Sequence, residues 1–337
     1  MREEDFGELA AAFQPELRAH CYRMLGSVHD AEDALQEALV RAWKGIDRFE
    51  GRGSVRSWLY SIATNTALDI ARHRSRREVA VDLGSPAGPG ADLDAPLTEL
   101  PWLEAYPDQW LALSSQPSPE ARYEQRESVE LAFAAAVQHL PPLQRAVLLL
   151  REVAGFSAAE TAGLLGTSVA SVTSALQRAR VTAATRLPAR SQQSTLRLLG
   201  DRRTQELVHR YADAMERGDI QTLVGMLTQD VTWSMPPVPT WFRGLEAVTE
   251  FLVRYPLTDR WKHRPVRANG QLAVACYVYD EADGRFVPGA IDVLTLDEDK
   301  ITAVTGFLTA DILGPGNARN WVSGEEMFGR FGLPACL

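Results

Sequence analysis

Apolar positions in the first 77 residues recur with a helical period. Phe6, Leu9, Phe13, Leu17 and Cys21 mark one face of a first helix. Ser27 with Asp30 has the spacing of a capping box and opens a second helix, "HDAEDALQEALVRAW". Ala34, Leu35, Ala38, Leu39 and Ala42 form its apolar side, and Glu32, Asp33, Gln36 and Glu37 lie largely off it. The segment "KGIDRFEGRGSVR" (44–56) breaks the period with glycines. A third helix, "WLYSIATNTALDIARHRSRR" (58–77), follows. Wound at about 100° per residue, its Leu59, Ile62, Thr66 and Ile70 make an apolar seam. Trp58, Ser61, Asn65, Asp69, Arg72 and Arg76 fall on a neighbouring polar stripe. That stripe is either a solvated face, closed by cations that suit a helix C-terminus, or a ligand face.

The pattern then lapses. From Asp82 to Glu120 the chain carries seven acids, seven prolines and no Lys or Arg, the composition of a linker. A fully solvated linker has little reason to hold Trp102, Tyr106 and Trp110, so part of it is expected to dock. Helical periodicity returns over 120–187. A helix follows Pro141–Pro142, a short one starts at a capping box of Ser157 and Glu160, and after a turn at Gly166 a longer one starts near Ser168. Two helices joined by a short glycine turn make a helix-turn-helix. Val169, Val172, Leu176 and Ala179 are expected inside, leaving Ser171, Ser174, Gln177, Arg178 and Arg180 outside. Beyond about residue 200, helices precede alternating runs such as "DVTWSMP", "QLAVACYVYDE" and "GAIDVLTLDEDK", which predicts an α+β domain with a curved antiparallel sheet.

Length and charge sharpen this picture. The 337 residues suit two or three domains. No apolar run approaches the ~20 residues of a membrane span, and "MREEDFGELA" is not a signal peptide. The expectation is a cytoplasmic protein with no membrane partner. Cys21, Cys276 and Cys336 are scattered, which argues against a disulfide framework or a zinc site; no metal and no cofactor is expected. A net charge of −9 looks wrong for a nucleic-acid binder until it is mapped. Residues 1–40 carry −6, residues 41–77 carry +6, residues 78–130 carry −9 and residues 131–190 carry +4. Whole-chain charge hides this alternation of signs.

"GSVHDAEDALQEALVRAW", "WLYSIATNTALDIARHRSRR" and "LPPLQRAVLLLREVAGFSAAETAGLLGTSVASVTSALQRAR" together resemble bacterial extracytoplasmic-function sigma factors of the sigma-70 family, in order and spacing. The tail, "LVHRYADAMERGDIQTLVGMLTQDVTW…WFRGLEAVTEFL", is similar to SnoaL-like domains, cones with a hollow between sheet and helices. The resemblance implies a multidomain chain: two all-α sigma domains, the second with the helix-turn-helix, then an α+β cone-like SnoaL-type domain. Its divisions are region 2 over 1–78, an acidic Pro-rich linker over 79–119, region 4 over 120–190 and the SnoaL-like domain over 200–330. The partners it implies are bacterial core RNA polymerase and promoter DNA. Asp33, Gln36 and Glu37 on the acidic helix would meet basic helices of the polymerase clamp. Arg72, Arg74, Arg76 and Arg77 would hold phosphates, where cations displace condensed counterions. The loop around Arg52, Gly53, Ser54 and Arg56 would receive a flipped promoter base, with Asn65 and Trp58 on the same DNA face. Ser168, Ser171, Ser174, Gln177 and Arg178 would read the minus-35 element from the start of a recognition helix.

Some SnoaL-like proteins are cyclases or isomerases using Asp/His pairs. His209, Asp213, Tyr211, Trp233, Trp241 and His263 could line such a hollow here, yet no His/Asp pair can be placed, and no catalytic residue is assigned. Tyr211, Trp233 and Trp241 are the candidate pocket residues for a small apolar ligand. Electrostatics permits the linker to lie over the basic helix of 58–77 or along the polymerase's DNA channel, with its aromatic residues as anchors. The competing reading is a SnoaL-like small-molecule enzyme or sensor whose helix-turn-helix region acts without polymerase.

Overall fold

The computed structural model describes residues 3–48, 54–111, 124–313 and 322–337. They form two compact units, one from Met1–Arg77 with Trp110–Ala189, the other from Glu78–Gln109 with Arg190–Leu337.

The first unit begins with α1 (Glu3–Leu25), α2 (Val28–Gly45) and α3 (Val55–His73). Ser27 Oγ accepts the Asp30 N–H at 3.1 Å and starts α2; Ser54 Oγ does the same for Ser57 at 3.0 Å and starts α3. Leu17, Cys21, Tyr22 and Met24 pack with Ala31, Ala34, Leu35 and Ala38, and with Leu59, Ala63 and Ala67 of α3. The seam on α3 differs from the expected one: Ile62 and Ile70 stay partly exposed, while Tyr60, Ala63, Thr64 and Ala67 are buried. The reason is that α3 packs on two sides, against α1 and α2 and against the later helices of the same unit. Burial brings the His20 imidazole down to about 3, so it stays neutral as it bonds Thr64 Oγ1 at 2.9 Å.

The rest of this unit contains α4 (Leu131–Gln138), α5 (Pro142–Leu148), a π turn (Leu149–Val153), α6 (Ala158–Leu164) and α7 (Val169–Ala184). Pro142 opens α5 where its missing N–H would have no helical partner. The capping box of α6 is complete: Ser157 N–H donates to Glu160 Oε2 at 2.7 Å, and Glu160 N–H to Ser157 Oγ at 3.2 Å. Gly166, at φ +61°, makes the left-handed turn into α7. Val137, Leu140, Val147, Leu148, Ala162, Val172, Leu176 and Ala179 form the core. Val169, expected inside, is 48% exposed, because it begins α7 before the helix reaches its neighbours; Ala175 lies inside as well.

The second unit is a six-stranded sheet with helices on its inner face. After α8 (Gln192–Leu199), α9 (Asp201–Arg217) and α10 (Ile220–Met226) come β1 (Leu227–Met235), β2 (Val238–Arg243), α11 (Leu245–Arg254), β3 (Trp261–Ala268), β4 (Gln271–Asp280), β5 (Arg285–Asp297), β6 (Lys300–Leu308) and α12 (Gly324–Arg330). The strand order is β2-β1-β6-β5-β4-β3. The β1–β6 pair is parallel and the other pairs antiparallel, so the sheet is mixed where pure antiparallel pairing was expected. Asn269 and Gly270, both at positive φ, form the tight β3–β4 turn that Asn-Gly favours.

Residues 78–109, acidic and proline-rich, are an ordered strap on this unit. Ala87 N–H donates to Trp241 O at 2.7 Å beside β2, the strand at one sheet edge. Asp94 and Thr240 exchange two bonds, of 2.8 and 2.7 Å. Trp102 packs with Ala80 and Trp241, and Trp241 Nε1 donates to Gly84 O at 3.0 Å. Tyr106 and Asn269 pair through two 2.8 Å bonds at the other end. The prolines suit a segment that covers an edge without extending the ladder. Of the three expected anchors, Trp102 and Tyr106 sit in this unit, whereas Trp110 belongs to the first, under the Arg18 guanidinium at 5.0 Å. For Trp102 and Tyr106 the contacts come from the tail domain's own unit, Trp102 packing with Ala80 and Trp241 and Tyr106 bonding Asn269.

Asp30, 2% exposed, takes both Arg74 and the buried Arg77. Asp30→Asn is expected to lower the stability of the first unit by about 3–5 kcal/mol, because it removes the charge of a buried carboxylate that a buried guanidinium pairs with; urea unfolding followed at the helical signal measures this.

Candidate nucleic-acid and polymerase interfaces

Asp33, Gln36 and Glu37 are exposed along one side of α2. Asp33 lies 3.6 Å from His29 and Glu37 2.8 Å from Arg41, i,i+4 pairs on half-exposed side chains that solvent screens. Val40 and Trp43 continue the same stripe at 45% and 49% exposure. The sequence reading passed over these two. The available signal was an aromatic residue set at helical spacing from the acids and off the alanine seam.

On α3 the polar stripe is split between two environments. Arg72 is exposed and 3.3 Å from Asp69, and Arg76, also exposed, donates to His139 Nδ1 at 2.5 Å. Trp58 is partly buried. Arg77 is 5% exposed, with Nε on Leu25 O at 3.2 Å and its guanidinium on Asp30. It closes region 2 internally, which corrects its expected place on a phosphate. Ser54 is exposed but spends its hydroxyl on the α3 N-cap. Arg52 and Gly53 lie outside the described residues.

Three side chains of α3, two of them on this stripe, hold the helix-turn-helix part of the first unit. Arg56 NH1 donates to Ala154 O at 3.1 Å, and its guanidinium stacks 4.8 Å from the Tyr60 ring and 4.9 Å from the Phe156 ring. Its other nitrogens reach Glu16 Oε2 at 3.3 Å. Ser61 Oγ donates to Leu164 O at 3.0 Å, and Asn65 Nδ2 to the same carbonyl at 3.4 Å. Leu164 ends α6, and its carbonyl is one that a helix terminus leaves without a helical partner. Groups expected to meet DNA are therefore engaged within the unit.

On α7, Ser168, Ser171, Ser174, Gln177 and Arg178 are exposed. Ser168 Oγ caps the helix by accepting the Ser171 N–H at 3.2 Å, and Arg178 reaches Ser174 Oγ at 2.7 Å. The start of the helix presents short hydroxyls and one guanidinium.

In the tail domain the three candidate pocket residues do not converge. Tyr211 and Trp233 belong to the inner-face core, with Phe242 and Phe251. Trp241 neighbours Phe242 along β2, so strand alternation sends it to the opposite face, against Ala80 and Trp102. That corrects its expected place in the hollow. His209 and Asp213 are exposed on α9. His263 is 8% exposed, and burial lowers it to about 4, so it is a neutral imidazole at physiological pH. The sequence reading missed Asp292, 6% exposed on β5. Tyr211 donates to it at 2.9 Å. Burial raises its carboxyl to about 6 against the opposing pull of bonds from Tyr211 and Cys276. A cleft lined by Trp102, Glu104, Pro236, Phe307, Arg330 and Phe331 holds about 50 Å³, well below the ~300–1,000 Å³ of small-molecule pockets.

A helical unit with a helix-turn-helix, joined to a cone of curved sheet and helices, defines a modular DNA-binding class of architecture. Family models match accordingly: Sigma-70 region 2 over residues 9–77, Sigma-70 region 4 over 130–182 and a SnoaL-like domain over 208–304. The ECF RNA polymerase sigma factor SigG of Mycobacterium tuberculosis (strain CDC 1551 / Oshkosh) is 39% identical over 341 residues, covering 100% of this chain and 86% of SigG. The sigma factor SigJ of Mycobacterium tuberculosis (strain H37Rv) is 27% identical over 314 residues, covering 89% of this chain and 90% of SigJ. The crystal structure of Mycobacterium tuberculosis SigJ shares the fold, with a TM-score of 0.55 and 23% identity, covering 92% of this chain and 99% of that one. The chain belongs to the extracytoplasmic-function RNA polymerase sigma factors and carries a SnoaL-like domain.

The raised carboxyl of Asp292 has a definite sign. Stability from this group is full below the ordinary carboxyl value near 4 and is lost as pH rises through about 6. Thermal unfolding between pH 4 and 7.5 should therefore show Asp292→Asn gaining on the parent as pH rises; a difference that stays constant with pH contradicts the assignment.

Proposed function

We propose that this sigma factor docks on core RNA polymerase through α2 and divides promoter contact between its two helical parts, in the cytoplasm and without catalysis of its own. The observation that carries the reading is the exposed stripe Asp33–Gln36–Glu37–Val40–Trp43. Acids there complement a basic partner and steer its approach. A half-exposed tryptophan beside them supplies the apolar anchor that interface hot spots favour. The arginines Arg72 and Arg76 suit phosphates of the minus-10 region, and the start of α7 suits the minus-35 major groove.

The internal contacts of Arg56, Ser61 and Asn65 give this reading a further condition. Elements at minus 10 and minus 35 lie about 25 base pairs apart, about 85 Å along B-DNA. A unit in which α3 touches Ala154 and Leu164 cannot serve both elements. The contact is a closed state, which polymerase and promoter oppose by binding the open one. Residues 78–109 connect the two helical parts while docked on the tail domain, so their docking limits the reach of the connector. This is how the SnoaL-like domain restrains activity. Tyr211 and Trp233 serve as its core and Trp241 as a strap anchor.

Holoenzyme reconstitution tests the docking face. Asp33→Arg with Glu37→Arg should reduce core-polymerase affinity at least a hundredfold, and Trp43→Ala about tenfold, with helical content unchanged. Wild-type affinity of the double variant would remove α2 from the interface. For the restraint, the strap variant Trp102→Ala in the full-length protein should raise promoter-dependent runoff transcription severalfold. Unchanged transcription, with the strap released as judged by proteolysis between residues 78 and 109, counts against it.

A further inference from the structure

One cleft of the first unit shares only Arg76 with the proposed docking and promoter surfaces. It encloses about 350 Å³ between the end of α3 and the turn that joins α4 to α5, within the size range of small-molecule sites. Its polar walls are Arg74, Arg76 and Arg77 from one side and His139 and Arg145 from the other, with Asp30 at the base. Among the described residues, the lining thus holds four guanidinium groups and one carboxylate.

Arg145 makes the imbalance costly. It is 5% exposed, and its hydrogen-bond acceptors are all neutral: Met24 O, Gln138 Oε1 at 2.7 Å, Gln138 O at 2.9 Å and Leu140 O at 3.2 Å. Among the described residues no carboxylate pairs with it, and its Nε–H has no acceptor. Burial pulls this guanidinium down to about 10. A buried cation without a counter-charge is expensive, and a buried donor without an acceptor adds to the cost. Asp30 does not relieve Arg145, because its carboxylate is taken by Arg74 and Arg77.

The geometry points to this cleft as a binding site for a small phosphorylated anion, one carrying at least a diphosphate. Several guanidinium groups converging on one space match phosphate oxygens by charge and by paired N–H donors. Duplex DNA is the poorer occupant. Arg77 and Arg145 are each 5% exposed, too deep for a phosphate on a duplex surface, whereas a free diphosphate can enter. Pro141 and Pro142 give the cleft an apolar flank on which the rest of a nucleotide can lie. Because the walls come from both helical parts of the unit, an occupant stabilises their contact.

Titration calorimetry of the full-length protein at fixed ionic strength, with pyrophosphate and with ADP as separate probes, tests the site. Saturable one-to-one binding of either probe is the expected result, with a thermal upshift of the helical unit. Equal affinities assign recognition to the diphosphate alone, and tighter ADP adds the nucleoside. Arg74→Ala with Arg76→Ala, both exposed, should weaken binding at least tenfold while the helical signal and unfolding midpoint without ligand confirm a folded protein. Arg202→Ala, at an 85%-exposed side chain of the tail domain, should not. Equal loss in both variants would reveal a general charge effect and overturn the proposal. So would failure of both probes to bind, or retardation of duplex DNA through Arg74 and Arg76 while neither probe binds.

Discussion

Arg56 packs against the rings of both Tyr60 and Phe156 and bonds Glu16 and the carbonyl of Ala154. Tyr60 and Phe156 meet edge to face at 5.1 Å, and Tyr60 sits against the neutral His20 at 5.0 Å. One cation therefore ties α1, α3 and the loop before α6. An arginine in this position gains from both ring faces and from a carboxylate, and none of the three competes with the others for the same atoms. The arrangement spans the two helical parts of the sigma factor. It joins them into one compact unit. The Ser61 and Asn65 bonds to Leu164 extend the same contact by one helical turn each.

The acidic strap obeys a different constraint. A sheet edge invites pairing with another strand, and here β2 is flanked by chain that supplies single bridges and side-chain bonds rather than a ladder. Prolines and acids, which look like the mark of a solvated linker, are equally suited to such a cover. The chain between the two helical parts is thus also a structural piece of the SnoaL-like domain's unit.

The inner face of the cone is occupied mainly by its own side chains. Trp233, Phe242 and Phe251 pack ring to ring, with Phe242 and Phe251 stacked at 4.9 Å. Asp292, Tyr211 and Cys276 form a polar group among them, with the carboxyl biased toward its neutral form. Gly306 lies against this group: a Cβ there would come 2.8 Å from Asp292 Oδ1. The glycine on β6 thus makes room for the buried carboxylate, and the two positions form one packing unit.

Local signals were legible in the sequence wherever the physics is local. The caps at Ser27 and at Ser157 with Glu160, the turn at Gly166, the alanine seam of α2 and the exposed hydroxyls of α7 all follow from residues within one or two helical turns. The order of the three domains was legible too, through motifs that run continuously along the chain. Long-range choices were not. Periodicity placed Arg77 beside Arg76 on a basic end, but only tertiary structure sent one to Asp30 and left the other exposed. Alternation could have separated Trp241 from Trp233, yet which strands adjoin depends on β1 pairing with both β2 and β6. The aromatic residues of the strap signalled that it docks, but not where, because docking energy resides in the surface it meets. The sequence by itself determined the elements, their order and the chemistry each carries; the tertiary structure decided which of those groups are spent on one another, since burial and partner choice belong to residues far apart in the chain.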